Sequence, residues 1–263
     1  MRVLHVIPSI APRYGGPSSA VVGMSTALQD SGVAVQIATT DADGPTRLRV
    51  PYGTCVDWAG VPTVFFPRQL TEAFKYSGPL AGWLTDHVAD FDVVHVHAVF
   101  SHACLAASSA CNRRHVPYIV RPLGTLDPWS LRQKHVQKQV LWRFGVQRML
   151  DRAAAIHYTT ASEQRLAESA LPLNKRGVVI PLGVDDALFE QTGPRPRSDT
   201  PYVLVLGRLH PKKGIETFVE VFLDVSEQVP DWRLMIAGDG EAEYVAALKS
   251  RVAKIDTHER VIF

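Results

Sequence analysis

Short apolar runs and longer stretches of helical period take turns along most of the chain. The runs at residues 3–7, 33–38, 62–66, 93–96, 118–121, 155–158 and 178–180 are rich in Val, Ile and aromatic side chains. Each has the length of a strand, and such near-continuous runs predict burial on both faces, as in a parallel sheet. Between them, apolar residues recur at helical spacing over 18–29, 80–89, 102–113, 131–150 and 162–170. In the first of these helices Ala20, Val21, Met24, Ala27 and Leu28 form one stripe, and Ser31-Gly32 ends it. Strand and helix in alternation predict an α/β fold, a parallel sheet with helices on both faces.

Two stretches interrupt the rhythm. Residues 41–58, with Gly44-Pro45, Pro51 and Gly53, read as a long loop beside the strand ends, either a binding loop or surface decoration. Residues 190–201, rich in Pro, Gly and charge, read as a linker. The pattern then resumes with a strand at 202–206, a helix at 215–228, a strand at 233–237, a helix at 241–254 and a final apolar run at 261–263. The expected division is a first domain over 1–190, a linker over 191–201 and a second domain over 202–263. That second piece is shorter than the roughly 100–150 residues at which domain sizes peak, so a partial domain is expected.

Composition narrows the classes without choosing one. The chain of 263 residues is 46% hydrophobic and 21% charged with a net charge of +2, an ordinary globular balance in which nothing global points to nucleic acid. No long apolar stretch free of charge occurs, so no membrane-spanning helix is expected. The apolar run before Pro8 is too short for a secretory signal, and a cytoplasmic protein is expected. Cys55, Cys104 and Cys111 have no metal-binding spacing and suit a reducing compartment. The one strongly charged stretch is 130–152, where six Lys and Arg stand against the single acid Asp151, a local net of +5. Interleaved Leu131, Val136, Val140, Leu141, Trp142 and Phe144 make it amphipathic, suited either to an anionic membrane surface or to packing on the sheet with a solvated outer face.

Candidate chemistry gathers where strands end, the side of an open α/β sheet on which ligands bind. The strand at 202–206 stops at Gly207-Arg208-Leu209-His210-Pro211-Lys212-Lys213-Gly214, just ahead of a helical pattern. Arg208 can fork onto phosphoryl oxygens, Lys213 adds a movable charge, and a helix N-terminus favours anions, so the stretch reads as a diphosphate site. The competing reading pairs Arg208 with a core carboxylate and leaves Lys213 in solvent. Gly15-Gly16 precede the first helix, where glycines either admit a ligand close to the backbone or simply make a tight turn. In Asp92-Val93-Val94-His95-Val96-His97, alternation puts both histidines on one side of a strand. No third ligand is evident to complete a metal site, so no metal is expected, and His97 is placed better for chemistry than His95 because it lies nearer the strand end. Arg121 and Trp129 follow the next strand; the cation suits a phosphate or carboxylate, and the ring suits a sugar face or plugs the groove between helix and sheet. Ala237-Gly238-Asp239-Gly240 ends a further strand with residues small enough for close approach. Neither the P-loop pattern nor the dinucleotide-binding glycine pattern occurs, and no Ser/His/Asp or Cys/His nucleophile set emerges, which sets aside P-loop NTPases and NAD enzymes.

Taken in order, these segments resemble one family. Gly207-Arg208-Leu209 with Pro211, Lys213 and Gly214 looks like the donor-diphosphate motif of the retaining glycosyltransferases with two facing Rossmann-like domains, the GT-B type of glycosyltransferase family 4, group 1. The resemblance implies that Arg208 and Lys213 hold the diphosphate of a nucleotide sugar, with Gly15, Gly16, Gly238 and Gly240 also on the donor side. It implies that His97 hydrogen-bonds the transferred sugar. The run from Arg121 to Trp129 is similar to the Arg-Gly-Met-Leu-x-Pro-Trp segment of polysaccharide glycosyltransferases, but Pro122, Leu123 and Gly124-Thr125 depart from its order; likeness puts Arg121 and Trp129 on the acceptor side. Ile180-Pro181-Leu182-Gly183-Val184-Asp185 is similar to the family's Asn-Gly-Val-Asp segment and reads as mainly structural. The implied function is transfer of a sugar from a nucleotide diphosphate sugar to a hydroxyl on a sugar, polysaccharide or lipid-linked acceptor. The implied enzyme needs no metal or other cofactor and works in the cytoplasm, with peripheral contact at the inner face of a membrane through 130–152. The implied fold is a complete first Rossmann-like domain and the first part of a second, because the paired glutamates that members carry further on do not occur here. Two other classes stay open: a non-catalytic nucleotide or sugar-phosphate binding protein, and a nucleotide-sugar epimerase, which would carry several carboxylates in its cleft.

Overall fold

The computed structural model describes residues 1–175, 177–184 and 200–263, and the chain divides into two compact units, Met1–Leu188 and Phe189–Phe263. The expected linker therefore lies almost wholly outside the described residues, as does Asp185.

The first unit is built on strands β1 (Arg2–Ser9), β2 (Ala34–Thr40), β5 (Cys55–Trp58), β6 (Val61–Phe66), β7 (Val93–His97), β8 (Tyr118–Arg121), β9 (Ala155–Tyr158) and β10 (Gly177–Val179), with a small hairpin of β3 (Ala42–Asp43) and β4 (Thr46–Arg47) between β2 and β5. They form one sheet in the order β10-β9-β8-β7-β1-β2-β6-β5. All neighbours run parallel except β5, which returns antiparallel along β6. The segment expected as a long loop thus contains both the hairpin and an edge strand. A turn through Ala59 (φ 52°) and Gly60 (φ 82°) reverses the chain, and Trp58 meets Phe65 edge-on at 5.2 Å, which holds β5 in place.

Helices α1 (Gly16–Asp30), α2 (Gly78–His87), α3 (His102–Arg114) and α7 (Ala161–Ala170) fall where the helical period places them. The stretch expected as one helix over 131–150 is broken instead into α4 (Pro128–Arg132), α5 (His135–Leu141), a π turn over Trp142–Val146, and α6 (Gln147–Arg152). Lys134, at φ 50°, separates α4 from α5. The π turn inserts an extra residue and sets Gly145 so close to Leu105 of α3 that a Cβ there would stand 2.9 Å from its side chain.

Strand alternation gives the sheet two unlike faces. Leu4, Val6, Val94, Val96, Val120 and Ile156 point to one side and join α2, α3 and α6 in the main apolar core. On the other side Ile7, Ile37 and Phe65 meet Val21 of α1 in a smaller cluster. Farther along that second face, across β7, β8 and β9, the inward positions are His95, His97, Arg121 and His157, with His5 beside them on β1. Burial there is as complete as in the core, but the side chains are polar.

The second unit has strands β11 (Tyr202–Leu206), β12 (Arg233–Ala237) and β13 (Val261–Ile262) in a parallel sheet of that order, with α8 (Ile215–Val225) and α9 (Ala242–Ile255). The helix expected to reach residue 228 leaves the α form at Val225 and closes in a tight turn over Ser226–Gln228. Arg260 secures that end, donating to the carbonyls of Ser226 (2.6 Å), Trp232 and Val229. Leu209, Ile215, Val219, Phe222, Leu234, Ile236, Leu248 and Val252 form its core, while Tyr202, Leu204 and Leu206 leave an apolar stripe of β11 exposed.

Leu84, buried in the main core, and Phe144, 82% exposed, allow a direct check of this burial. Leu84→Ala is expected to destabilise the first unit by about 2–5 kcal/mol in urea unfolding, whereas Phe144→Ser is expected to change it by less than about 0.5 kcal/mol.

Candidate functional site

In the second unit the chain leaves β11 at Gly207, passes Arg208 and makes a tight turn over Pro211–Lys213 before α8. Lys213 therefore precedes the helix, as the spacing suggested, with Gly214 in the left-handed region (φ 62°) between them. Leu209 anchors the loop: its side chain is buried, and its N–H donates to the Asp239 carbonyl at 2.8 Å. Gly207 N–H likewise donates to the Ala237 carbonyl at 3.0 Å, so the ladder between β11 and β12 continues into the two loops. Gly238 and Gly240 make this possible, since a Cβ on either would collide with the carbonyl oxygen of Gly207 or Leu209. These glycines bring the loops together backbone to backbone. Arg208 and Lys213 stay exposed, and neither pairs with a carboxylate among the described residues.

In the first unit Gly15 and Gly16 follow β1 through a tight turn over Pro12–Tyr14. Gly15 has φ 64° and ψ −129°, a conformation only glycine adopts readily, and its carbonyl accepts the first hydrogen bond of α1 from Ser18 at 3.0 Å. Gly16 differs: its φ is ordinary and a Cβ would meet nothing within 4 Å, so no packing demand explains a glycine there. The turn is held by a group that sequence reasoning missed. Tyr14 donates its hydroxyl hydrogen to Glu72 and accepts from Gly44 N–H at 2.8 Å, while Arg68 and Lys75 pair with Glu72. Burial, with Glu72 adding to it, pushes the Tyr14 phenol up to about 12.

The polar half of the sheet face is the second feature of this unit. His97 and His95 do lie on one side of β7, but each is bonded to another histidine from a different strand. His97 Nε2 is 2.9 Å from His5 Nδ1 on β1, and His95 Nε2 is 3.2 Å from His157 Nδ1 on β9. His157 Nε2 lies 2.9 Å from the Ile180 carbonyl. Burial, with neighbouring positive charge adding to it, lowers the pKa of all four rings, that of His5 to about 4, so they are neutral at ordinary pH. Ligand atoms of His5, His95 and His97 come within 4.8 Å of one another, which supplies the third imidazole that the sequence reading lacked for a metal. The charge nearby disfavours a cation, because Arg121 pairs with His97 in strand register and is 3% exposed.

Arg121 Nε and Nη1 have no hydrogen-bond partner among the described residues, and burial lowers its pKa. Both oxygens of Glu163, the nearby acid, accept hydrogen bonds from Gly124 N–H at 2.7 Å and from Thr159 N–H and hydroxyl at 2.8 Å. That brace fixes the turn through Leu123 and Gly124, both at positive φ, that leads from Arg121 to α4. Trp129 sits half-buried in the first turn of α4, which Asp127 caps by accepting from Ser130 N–H at 2.8 Å. Gly15 and His97 leave the same carboxyl edge of the sheet on the neighbouring strands β1 and β7. His5 and His157 could have been found only by knowing which strands adjoin, and Tyr14 and Glu72 only by knowing that the turn after β1 meets the segment after β6.

Residues 15–183 match the model of the glycosyl transferase 4-like domain, and residues 189–263 match that of glycosyl transferases group 1. The chain is 25% identical over 255 residues to a phosphatidylinositol N-acetylglucosaminyltransferase subunit of Arabidopsis thaliana, covering 91% of this chain and 52% of that protein. It is also 25% identical to the GDP-mannose:cellobiosyl-diphosphopolyprenol alpha-mannosyltransferase of Xanthomonas campestris, covering 99% of this chain and 66% of the relative. It thus spans between about half and two thirds of the length of these curated relatives. Among solved structures, the Anabaena protein HepE in complex with UDP-glucose shares the two-unit α/β fold at a TM-score of 0.68 and 18% identity, over 100% of this chain and 68% of that one. With well over half of its length matched by one family model, the chain belongs to the glycosyl transferase 4-like family.

Proposed function

We propose that the chain acts as a retaining glycosyltransferase, moving a sugar from a nucleotide diphosphate sugar to a hydroxyl acceptor. The observation that carries this reading is the Gly207 to Gly214 loop, where the exposed cations Arg208 and Lys213, unpaired with any carboxylate among the described residues, stand on a backbone pinned by Gly238 and Gly240. Such cations offset the negative charge that grows on a leaving diphosphate, which is where electrostatic catalysis contributes most. A donor phosphate assists removal of the acceptor proton on the face from which the diphosphate departs, and His97 hydrogen-bonds the transferred sugar. Gly16, free of any packing demand, lets the donor approach the start of α1. Arg121 and Trp129 serve the acceptor side. Support for the donor comes from HepE, whose structure holds UDP-glucose.

The acceptor is lipid-linked in this reading, and the segment over 130–152 meets an anionic membrane surface. Both curated relatives carry a lipid acceptor in their names, phosphatidylinositol in one and a diphosphopolyprenol in the other. On this chain Val136, Val140 and Phe144 are 72%, 51% and 82% exposed among the basic side chains of that stretch. No helix of the described residues is long and apolar enough to cross a membrane; the contact proposed for 130–152 is a peripheral one.

Lys213→Ala is expected to weaken binding of UDP or GDP by about ten- to a hundredfold, the worth of one charge-assisted hydrogen bond, and to leave the parent nucleosides unchanged. Isothermal titration with several nucleoside diphosphates measures this, and equal affinity in the variant removes Lys213 from the site. For the surface, cosedimentation is expected with anionic but not neutral vesicles, falling as salt rises, because each Lys or Arg near such a surface contributes about 1 kcal/mol. The double change Val140→Ser and Phe144→Ser should reduce it. Equal sedimentation with both vesicle types at low salt would sink the membrane contact.

A further inference from the structure

Glycine gives a turn freedom but no side chain by which to hold it, and Gly15-Gly16 is such a turn. It is held from outside, through Tyr14 just before it. The Tyr14 hydroxyl hydrogen goes to Glu72, and its oxygen accepts from Gly44 N–H at 2.8 Å. The carbonyl of the same Gly44 accepts from Arg68 Nη1 at 3.0 Å, and a Cβ on Gly44 would collide with the Arg13 guanidinium. The tip of the β3–β4 hairpin thus fits between the turn after β1 and the segment that begins at Arg68.

That segment, residues 68–77 between β6 and α2, also closes on itself. Gln69 N–H donates to the Tyr76 carbonyl at 2.8 Å and Lys75 N–H to the Thr71 carbonyl at 2.9 Å, with Lys75 at φ 50°. Lys75 Nζ pairs with the Glu72 carboxylate at 2.6 Å and lies 4.8 Å from the centre of the Tyr14 ring. Its far end grips the start of α3. The Phe74 carbonyl accepts from His102 N–H at 2.9 Å, one of the amides that a helix start leaves without a partner inside the helix. Ser77 N–H donates to His102 Nδ1 at 3.2 Å, and the Tyr76 ring packs on that imidazole with centroids 4.2 Å apart. In the sheet β2 and β1 stand between β6 and β7, so the segment reaches from β6 past the turn after β1 to the helix after β7.

We propose that residues 68–77 are a strap that ties the Gly15-Gly16 turn to the start of α3, with Tyr14, Glu72 and His102 as its positioning residues. The loops that leave the neighbouring strands β1 and β7 are thereby held at a fixed spacing, one through Tyr14 and the other through His102. That a ligand meets this turn rests on the glycosyltransferase reading above; the strap itself does not. Its contacts act in series, so release at either end frees the turn. A clasp of purely local reach would respond only to loss of Tyr14 or Glu72, because His102 touches neither of them nor the turn.

The test is amide hydrogen exchange on the full chain, read residue by residue. Ser18 and Ser19 N–H, which both donate to the Gly15 carbonyl, report on the turn. Tyr14→Phe is expected to speed their exchange about tenfold and His102→Ala about three- to tenfold, the range of one hydrogen bond, while amides of β7 and β8 exchange as in wild type. His102→Asn, whose side-chain oxygen can accept from Ser77 N–H, is expected to behave as wild type. In the double variant the two factors should fall short of multiplying, as they do for contacts that act in series. Ser18 and Ser19 unmoved in folded His102→Ala, or factors that multiply in full, would overturn the strap. Tyr14→Phe is also expected to speed exchange of His102 N–H at the far end; no change there overturns the strap too, so a His102 variant that fails to fold does not shield it. Titration with UDP-glucose and GDP-mannose then asks what the strap is for. The Kd of a sugar nucleotide that binds is expected to rise about three- to tenfold in Tyr14→Phe and in His102→Ala and to return in His102→Asn. A freed turn with an unchanged Kd overturns the positioning role. If exchange is as stated but neither compound binds the wild type, the glycosyltransferase reading fails and the strap stands.

Discussion

Burying five nitrogen-bearing side chains on one face of a parallel sheet is the constraint around which the first unit is arranged. His5, His95, His97, Arg121 and His157 are all at most 8% exposed, and a buried polar atom without a partner costs about 1–3 kcal/mol. The rings meet this by staying neutral and bonding in pairs, with the backbone carbonyl of Ile180 closing one end. One charge remains, on Arg121, and the neighbouring acid Glu163 already holds Gly124 and Thr159. The opposite face of the same strands carries the stability, with Leu4, Val6, Val94 and Val96 fully buried at roughly 1.5–3 kcal/mol each. A sheet secured by its apolar side can keep a row of polar groups on the other without falling apart.

The second unit solves a different problem, how to hold a loop still while leaving Arg208 and Lys213 exposed. The loop that carries Arg208 and Lys213 is fixed through its backbone, and neither side chain pairs with a carboxylate among the described residues. The strand ladder runs on past Leu206 because Gly238 and Gly240 present no Cβ to the approaching carbonyls. A loop positioned in this way loses little when its side chains rearrange around a ligand, which is the favourable starting point for binding an anion. Gly214 separates Lys213 from α8, so that the charge and the helix N-terminus stand at adjoining but distinct positions.

At the outer edge of the first unit, the basic stretch shows how packing reshapes a periodic segment. Its apolar residues satisfy a helical pattern, yet they do not all point to the sheet: Val146, Met149 and Leu150 are buried while Val136, Val140 and Phe144 are not. The break at Lys134 and the extra residue of the π turn rotate one part of the stripe away from the other. A single straight helix would have kept them on one side.

Much of the fold was legible because it depends on local alternation. Tyr118–Arg121, Ala155–Tyr158, Tyr202–Leu206 and Arg233–Ala237 stand where their apolar runs begin and end. The loop from Gly207 to Gly214 was legible for the same reason, since glycine, proline and cations at fixed spacing declare a strand end whatever surrounds it. Alternation also told that His95 and His97 share a side of β7. It could not tell that His5 and His157 would meet them, because parity is a property of one strand, whereas register belongs to strands about 60 to 90 positions apart in the chain. The edge strand β5 and the Tyr14–Glu72 clasp were hidden likewise, behind partners that only the folded chain brings close. Sequence by itself determined which residues face together along a strand and which turns follow it; tertiary structure decided which of those faces adjoin, because neighbouring strands are chosen by long-range packing that no local pattern records.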